Sequence, residues 1–324
     1  MNRKSKKVKP YIPYDYEAAY KKSLDDLHEW FADQILASPQ GYRSHKVIYA
    51  LKEITAGSQF EVEIYPQFNR MSDIPEEGRR IVKDNDRAQR NLNDKNARKY
   101  LERLINENFG SGDLWITLTY DDRHLPADGD FDAALKDVTN FIKRINYRRR
   151  KKGLPNAKYI YVTAYNPHED IRWHHHIVMD GALDMDTVEE CWGQSSRNEI
   201  RRAREDEDGL SGLANYIIKQ KDRLKSEKRW RSSRGLKKPD VKVVHNKQPQ
   251  KGRGNYKSIA SYIDGMIKDR DTIRTTLARW YPDMEFSAAE AYYNDFNRMF
   301  YIHAKMRRKR SGGSRDGTEK GKKA

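Results

Sequence analysis

At 324 residues, of which 36% are hydrophobic, the chain is long enough to bury one large or two modest cores, so a stable fold is expected. Its 64 Lys and Arg residues outnumber its 48 Asp and Glu residues, and the net charge of +16 favours nucleic acid as the partner. No apolar run approaches the roughly 20 residues that a membrane-spanning helix requires, so neither a helical membrane protein nor a membrane partner is expected.

The cysteine content and the N-terminus favour a cytoplasmic protein. The single cysteine, Cys191, cannot form an internal disulfide, and there is no cysteine pair to hold a structural zinc ion. Residues 1–10 are basic, but no apolar segment follows them. They are therefore a poor secretion signal, and a solvated arm is the expected structure.

The first third of the chain predicts a helix, a hairpin and a second helix. Apolar residues recur at helical spacing between residues 16 and 35. Residues 46–54 and 60–65 are rich in β-formers and flank a turn at Gly57, which predicts a β-hairpin. A long charged segment over residues 86–108 has helical character and ends at a Gly-Ser-Gly break.

The next segments alternate between strands and one long helix. Residues 114–120 predict a strand, and residues 131–145 carry an apolar stripe that suits a helix packed on a sheet. The basic run at residues 148–152 suits phosphate contacts and, equally, favourable cations at a helix C-terminus. Strands over residues 159–164 and 173–179 are separated by a short polar turn, so we expect them to be antiparallel neighbours.

Three consecutive histidines lie inside the second of these strands. Because successive side chains of a strand point to opposite faces, His174 and His176 share one face with Val178, and His175 lies on the other. Imidazole is a common ligand of divalent metals, and a strand fixes ligand positions more tightly than a loop does. The sequence therefore predicts a metal site at His174 and His176.

A tyrosine and a lysine follow at helical spacing. Helices are predicted over residues 184–191 and 210–220, with a charged loop over residues 195–208 between them. On the second helix Tyr216 and Lys219 are three residues apart, so a phenol and an ammonium share one exposed face.

Phosphoryl transfer is a reaction that uses a metal, a tyrosine and a lysine together. Only about one tyrosine in a thousand is ionised at pH 7, so a ready nucleophile requires help. A divalent cation polarises a phosphate, and a nearby ammonium favours the phenolate. Tyr262 ranks below Tyr216 as the nucleophile because Lys268 is off its helical face, and Tyr120 is expected to be a core residue.

Three segments together resemble the rolling-circle replication initiators (Rep proteins) of the HUH endonuclease superfamily, of the phage, plasmid and mobile-element type. Trp115 to Tyr120 resembles the first motif of that family, the three histidines its metal motif, and Tyr216 to Lys219 its nucleophile motif. The resemblance covers roughly residues 44–240. It implies an α+β fold in which a central antiparallel β-sheet, RRM-like in form, is flanked by helices, with helical additions at both ends.

The resemblance also implies an activity. A nick in one strand at a DNA origin would leave the protein on the 5′-phosphate through a phosphotyrosine and would free a 3′-hydroxyl. His174 and His176 would hold Mg²⁺ or Mn²⁺, Tyr216 would be the nucleophile and Lys219 its electrostatic helper. The family's usual third ligand, a carboxylate on the neighbouring strand, is missing, which leaves Glu169, Asp170 or water.

Four regions are predicted. They are a basic arm and helix (1–43), the endonuclease domain (44–225), a basic linker with a helical accessory region (226–306) and a disordered basic tail (307–324). Trp230 lies among arginines in the linker, where single-stranded DNA binding and a merely solvated surface are both open.

The expected partners are single-stranded or hairpin origin DNA and, because no phosphate-binding loop of an ATP-driven helicase is present, a host helicase and polymerase. A relaxase or a single-tyrosine transposase of a mobile element would use the same chemistry. A non-catalytic nucleic-acid-binding module would have a similar charge but no need of paired histidines. The oligomeric state is left open.

Overall fold

The computed structural model describes most of the chain, in segments. The described residues are 21–24, 48–68, 85–212, 214, 230–245, 258–294, 297 and 299–309. The predicted nucleophile Tyr216 and its neighbour Lys219 lie outside them, as do most of the N-terminal arm and residues 310–324 of the C-terminal tail.

Six antiparallel strands form one sheet, called here the hairpin sheet. In spatial order they are β1 (Lys21–Ser23), β10 (Met284–Asn294), β11 (Met299–Arg308), β3 (Gln59–Gln67), β2 (Ile48–Ala56) and β9 (Asp240–His245). The predicted hairpin is confirmed as β2 and β3. Its turn contains Gly57 at a φ of +60°, a backbone conformation that glycine adopts without strain.

Five antiparallel strands form a second sheet, called here the histidine sheet. In spatial order they are β7 (Glu199–Arg202), β4 (Leu114–Leu118), β6 (Ile171–Met179), β5 (Tyr159–Asn166) and β8 (Arg231–Ser232). The predicted antiparallel pairing of β5 with β6 is confirmed. The charged loop predicted over residues 195–208 is wrong in part, because β7 lies within it and pairs with β4.

Five helices in the described residues cover the sheets. They are α1 (Asn85–Asn108), α2 (Phe131–Lys151), α3 (Met185–Glu190), α4 (Ala260–Lys268) and α5 (Arg270–Trp280). None of these helices is long and apolar enough to span a membrane. The prediction of an α+β fold with an antiparallel sheet flanked by helices is confirmed.

Each of the longer helices packs through an apolar stripe that the sequence encodes. The stripe of α2, with Val138, Phe141 and Ile145 fully buried, covers one face of the histidine sheet. Leu101 and Ile105 of α1 cover the opposite face of that sheet. The helices α4 and α5 cover one face of the hairpin sheet.

The helix α1 also contacts the hairpin sheet, through charged side chains. Arg103 donates two hydrogen bonds to Glu61, at 2.9 and 2.7 Å, and one to Glu63 at 2.8 Å. His303 contacts the Glu61 carboxylate at 2.8 Å, and Lys52 donates to Glu63 at 3.0 Å. Burial alone would raise the pKa of Glu61, but the hydrogen bonds and charges of Arg103 and His303 outweigh it, and the pKa is lowered.

The two carboxylates and His303 are close enough together to be considered as metal ligands. Their lone pairs are already used, however, because Arg103, Lys52 and His303 lie against the carboxylate oxygens. This cluster is therefore an ion-pair network that joins α1 to β3 and β11.

Several predicted elements differ from those of the structure. Residues 21–23, predicted as part of a helix, form strand β1, because they extend the hairpin sheet along β10. The hairpin at residues 48–67, predicted within the endonuclease domain, pairs with β11 near the C-terminus. Residues 240–245 of the predicted linker form β9, and residues 284–308, predicted as helical region and tail, contain the hairpin β10–β11.

Removal of the Arg103 guanidinium is expected to destabilise the protein. The change Arg103→Met should lower the free energy of unfolding by about 3 kcal/mol, because Glu61 and Glu63 lose their main donor while they stay largely buried. Chemical denaturation at pH 7 measures this. The matched change Arg148→Met, at a pair whose side chains are 51% and 64% exposed, should cost less than about 1 kcal/mol.

The pH dependence supplies the sign. Because the pKa of Glu61 is lowered in the folded state, its stabilising effect is present above the ordinary glutamate pKa and is lost as the pH falls. The difference between wild type and Arg103→Met should therefore shrink below about pH 4. A difference that stays constant from pH 7 to pH 3 would contradict the ion-pair account.

Candidate active site

Strand β6 lies in the centre of the histidine sheet, between β4 and β5, and it positions all three histidines. His176 is directly opposite Thr117 on β4 and Val162 on β5. The predicted alternation is confirmed, because Val178 packs in the core beneath α1 while His175 contacts Trp192 in the core beneath α2. His174 and His176 therefore face the side of the sheet that α1 covers.

The ring nitrogens of His174 and His176 point at each other. Their Nε2 atoms are 3.0 Å apart. The Nδ1 atom of His174 is 2.8 Å from the carbonyl oxygen of Arg172, which only accepts hydrogen bonds. A neutral His174 therefore carries its proton on Nδ1, and its Nε2 presents a lone pair to the space between the rings.

His176 is held by β4. Its ring stacks on Trp115, with ring centroids 5.5 Å apart and an interplanar angle of 15°. Its Nδ1 atom lies 3.3 Å from the hydroxyl oxygen of Thr117. Trp115 is itself only 2% exposed, so the surface on which the imidazole rests is part of the core. The first sequence segment thus fixes the orientation of the second ligand.

Both imidazoles are held in the neutral form, which is the form that binds metals. Burial lowers the pKa of His174, with a small opposing effect from its hydrogen bond to Arg172. Burial, followed by the neighbouring His174, lowers the pKa of His176 to about 3. At neutral pH, no proton has to leave Nε2 of His174 before a cation binds.

His175 is structural, as predicted. It is fully buried, and its two ring nitrogens lie 2.9 Å from the Tyr120 hydroxyl and 2.9 Å from the Thr163 hydroxyl. Burial is the first cause that lowers its pKa to about 3. Tyr120 is buried as expected, and burial raises its pKa, with Asp137 adding to the effect. These contacts lock the register of β6 and hence the direction of its neighbours.

The spacing of the two nitrogens suits a divalent metal. Two ligand atoms at about 2.1 Å from a metal and at a right angle to each other are separated by about 3.0 Å, the geometry of neighbouring ligands in an octahedron. The separation of 3.0 Å between the Nε2 atoms agrees with this value. The donor set therefore fits Mg²⁺ or Mn²⁺, with the remaining positions open to oxygen ligands.

Neighbouring strand positions offer no carboxylate on β5. Val162 is opposite His176 and Ala164 is opposite His174. Asp170, one of the two predicted candidates, is exposed in the turn before β6 at a φ of +55°. For Glu169 the structure describes the backbone in that turn but not the side chain.

Glu199 is a carboxylate that the sequence analysis missed. It lies on β7 opposite Thr117, so it shares the sheet face of His176 with one strand between them. Its side chain is 57% exposed and lies 3.4 Å from Arg201. No sequence signal marks it, because its segment has the composition of a charged loop.

Two predicted DNA-contacting features have structural roles. In the basic run, Arg149 is buried and bonds to Asp180 at 2.5 Å, and Lys152 pairs with Asp184 at 3.3 Å. This run ends α2, on the sheet face opposite His174 and His176. Trp230 is partly buried against the core beneath α1, so its indole contributes to packing.

The segment that leads to Tyr216 begins on the histidine face. Leu210 and Ala214 pack with Trp115 and Val178, which lie on the same side of the sheet as the two ligands. Residues 211, 212 and 214 are helical, in agreement with the helix predicted over residues 210–220.

The comparison with protein families agrees with this arrangement. Residues 113–222 match a family model of replication-associated proteins, the ORF2 type. This third of the chain is therefore similar to Rep-type replication initiators. The matched segment spans the strands of the histidine pair and continues through the position of Tyr216. No curated protein and no solved structure gives a significant match.

Loss of either imidazole is expected to weaken metal binding. The changes His174→Ala and His176→Ala should each lower the affinity for Mn²⁺ at least tenfold, because each removes one of two nitrogen ligands. Isothermal titration calorimetry with the purified protein measures this. His124→Ala is the matched control, since His124 is exposed and pairs with Asp121. Equal Mn²⁺ affinity in all three variants would contradict the site.

Proposed function

We propose that this protein nicks one DNA strand at a replication origin. The cleavage leaves the 5′ end as a phosphotyrosine on the protein and frees a 3′-hydroxyl that primes rolling-circle synthesis. The observation that carries the proposal is the pair of imidazole Nε2 atoms 3.0 Å apart, inside a segment that matches a replication-associated family. A protein that only binds DNA has no need of two neutral, facing imidazoles.

The histidines hold the cation that the chemistry requires. Mg²⁺ or Mn²⁺ bound there would polarise the scissile phosphate and offset the negative charge that develops on it. His174 and His176 orient this charge through fixed rings. The carbonyl of Arg172 sets the tautomer of one ring, and stacking on Trp115 sets the plane of the other.

Tyr216 is proposed as the nucleophile because the chain brings it to the histidine face. Ala214 packs in the core beneath α1 on that face, and Tyr216 follows it by two residues. Covalent geometry limits the distance between their Cα atoms to about 7 Å. Lys219 shares a helical face with Tyr216 in the predicted helix, where its ammonium favours the phenolate.

The proposed step is balanced without a further reactant. The phenolate oxygen of Tyr216 forms a bond to phosphorus, the bond between phosphorus and the 3′-oxygen breaks, and that oxygen takes up a proton. The phosphotyrosine conserves the energy of the broken diester. A 3′-hydroxyl can then attack it and rejoin the strand, which hydrolysis by water would not allow.

The DNA partner follows from charge and chemistry. A net charge of +16 favours binding to a polyanion, and the nucleophile must reach an accessible phosphate, which single-stranded or hairpin origin DNA supplies. A host helicase and polymerase would unwind and copy the template. The family match favours a replication initiator over a relaxase or a transposase, which would share this chemistry.

The covalent intermediate gives a direct test. Purified protein, incubated with Mn²⁺ and a labelled single-stranded oligonucleotide that carries the origin, should give a protein–DNA band that survives denaturation. Tyr216→Phe should abolish the band, because the nucleophilic oxygen is removed. Tyr262→Phe is the matched control, since Tyr262 is the competing tyrosine and packs on Trp280.

Two outcomes would contradict the proposal. One is a covalent adduct of undiminished yield in Tyr216→Phe. The other is cleavage at the same rate in EDTA and in Mn²⁺, since the histidine pair would then have no part in the reaction.

A further inference from the structure

We propose that Asn106, on α1, is a positioning residue for the nucleophile. This inference rests on the proposed function, since it assigns to Asn106 the task of placing the segment that carries Tyr216 against the histidine face. Asn106 is far from Tyr216 in the sequence, and no motif marks it.

The amide side chain of Asn106 bonds to the start of that segment with both of its groups. Its Oδ1 atom accepts a hydrogen bond from the backbone N–H of Leu210 at 2.7 Å. Its Nδ2 atom donates to the Ser211 hydroxyl at 3.3 Å. Leu210 is 1% exposed and Ser211 is 5% exposed, so water does not compete easily for these contacts.

These bonds have the function of a helix cap. The first N–H groups of a helix have no partner within the helix, and a side-chain oxygen usually supplies one from the residue just before it. Here the helical residues begin at Ser211, and the oxygen that binds the amide of Leu210 comes from a residue 104 positions earlier. A long-range cap of this kind fixes the helix start relative to another element.

The approach of the loop to α1 is close enough to set a position. Gly209 adopts a φ of +71°, and a Cβ there would lie 2.7 Å from Oδ1 of Asn106 and 3.0 Å from Nε2 of Gln59. Only a residue without a side chain fits between the helix and β3. The loop therefore meets Asn106 through its backbone.

The helical turn that carries Asn106 is itself held by the hairpin sheet. Arg103 binds Glu61 and Glu63 of β3, and the Glu107 carboxylate accepts a hydrogen bond from the N–H of Gly57 at 2.7 Å. The turn of the β2–β3 hairpin thus contacts the same part of α1. Consequently the hairpin sheet contributes to the placement of the segment.

Placement matters because the reaction depends steeply on geometry. Reacting atoms must come within about 3–3.5 Å in the right alignment, and a displacement of about 1 Å can cost about a hundredfold in rate. Tyr216 is only a short way beyond Ser211 in the same predicted helix, so a shift of the helix start would be passed to the phenol. The loss should appear in the chemical step rather than in the binding of DNA.

The test measures the single-turnover rate of adduct formation at saturating DNA and Mn²⁺. Asn106→Ala should slow it about 10- to 100-fold, with the dissociation constants for the oligonucleotide and for Mn²⁺ unchanged. Asn106→Asp keeps the acceptor for Leu210 and should retain most of the rate. Asn106→Gln keeps the amide but displaces it by one methylene, and it should be slower by about tenfold.

Asn108→Ala is the matched control. Asn108 lies on the same helix and makes two hydrogen bonds of 2.8 Å, but these go to the backbone of Lys237. This variant should lose a similar amount of thermal stability and keep the wild-type rate of adduct formation.

The outcomes separate this inference from the proposed function. A wild-type protein that forms no adduct would refute the proposed function itself. A wild-type protein that forms the adduct no faster than Asn106→Ala and Asn106→Gln would refute the positioning role alone. Equal rate losses in Asn106→Ala and Asn108→Ala would also refute it, since both would then report general destabilisation. If Asn106→Ala does not fold, the rate of Asn106→Gln decides.

Discussion

The two faces of strand β6 are buried by different helices, and the candidate site depends on this separation. The face beneath α2 takes His175, whose two nitrogens are bound by Tyr120 and Thr163. Those bonds prevent a slip of one residue, which would exchange the histidines between the faces. The face beneath α1 therefore receives His174 and His176 together, and their facing nitrogens follow from the backbone rather than from side-chain mobility.

The helix α1 connects this face to the rest of the molecule. Its apolar side packs on the histidine sheet, and its charged side binds the hairpin sheet through Arg103. Between these two sides, Asn106 reaches the segment that leads to the proposed nucleophile. One helix thus joins the element that holds the ligands, the element that leads to Tyr216 and a sheet built from both ends of the chain.

The sequence predicted local features well and long-range pairing poorly. The β2–β3 hairpin, helix α2 and the β5–β6 pair each carry a periodic pattern and a turn within a short window, which is the information that a single sequence holds. By contrast, the pairing of β3 with β11 joins distant parts of the chain, such as Ile64 and Ile302. No local pattern encodes that contact, so the sequence could not show which sheet the hairpin joins. Within the site, the facing of His174 and His176 follows from strand period alone, whereas Glu199 and Asn106 acquire their positions only from tertiary contacts.

The most direct test of the central claim, that the imidazole pair and Tyr216 converge on one phosphate, is a crystal structure of the Tyr216→Phe protein with Mn²⁺ and a single-stranded origin oligonucleotide. The account predicts an anomalous manganese peak about 2.1 Å from both Nε2 atoms, with a DNA phosphate on the metal and the ring of residue 216 directed at that phosphate. A manganese ion bound elsewhere, or a ring at position 216 directed away from the histidine face, would contradict it.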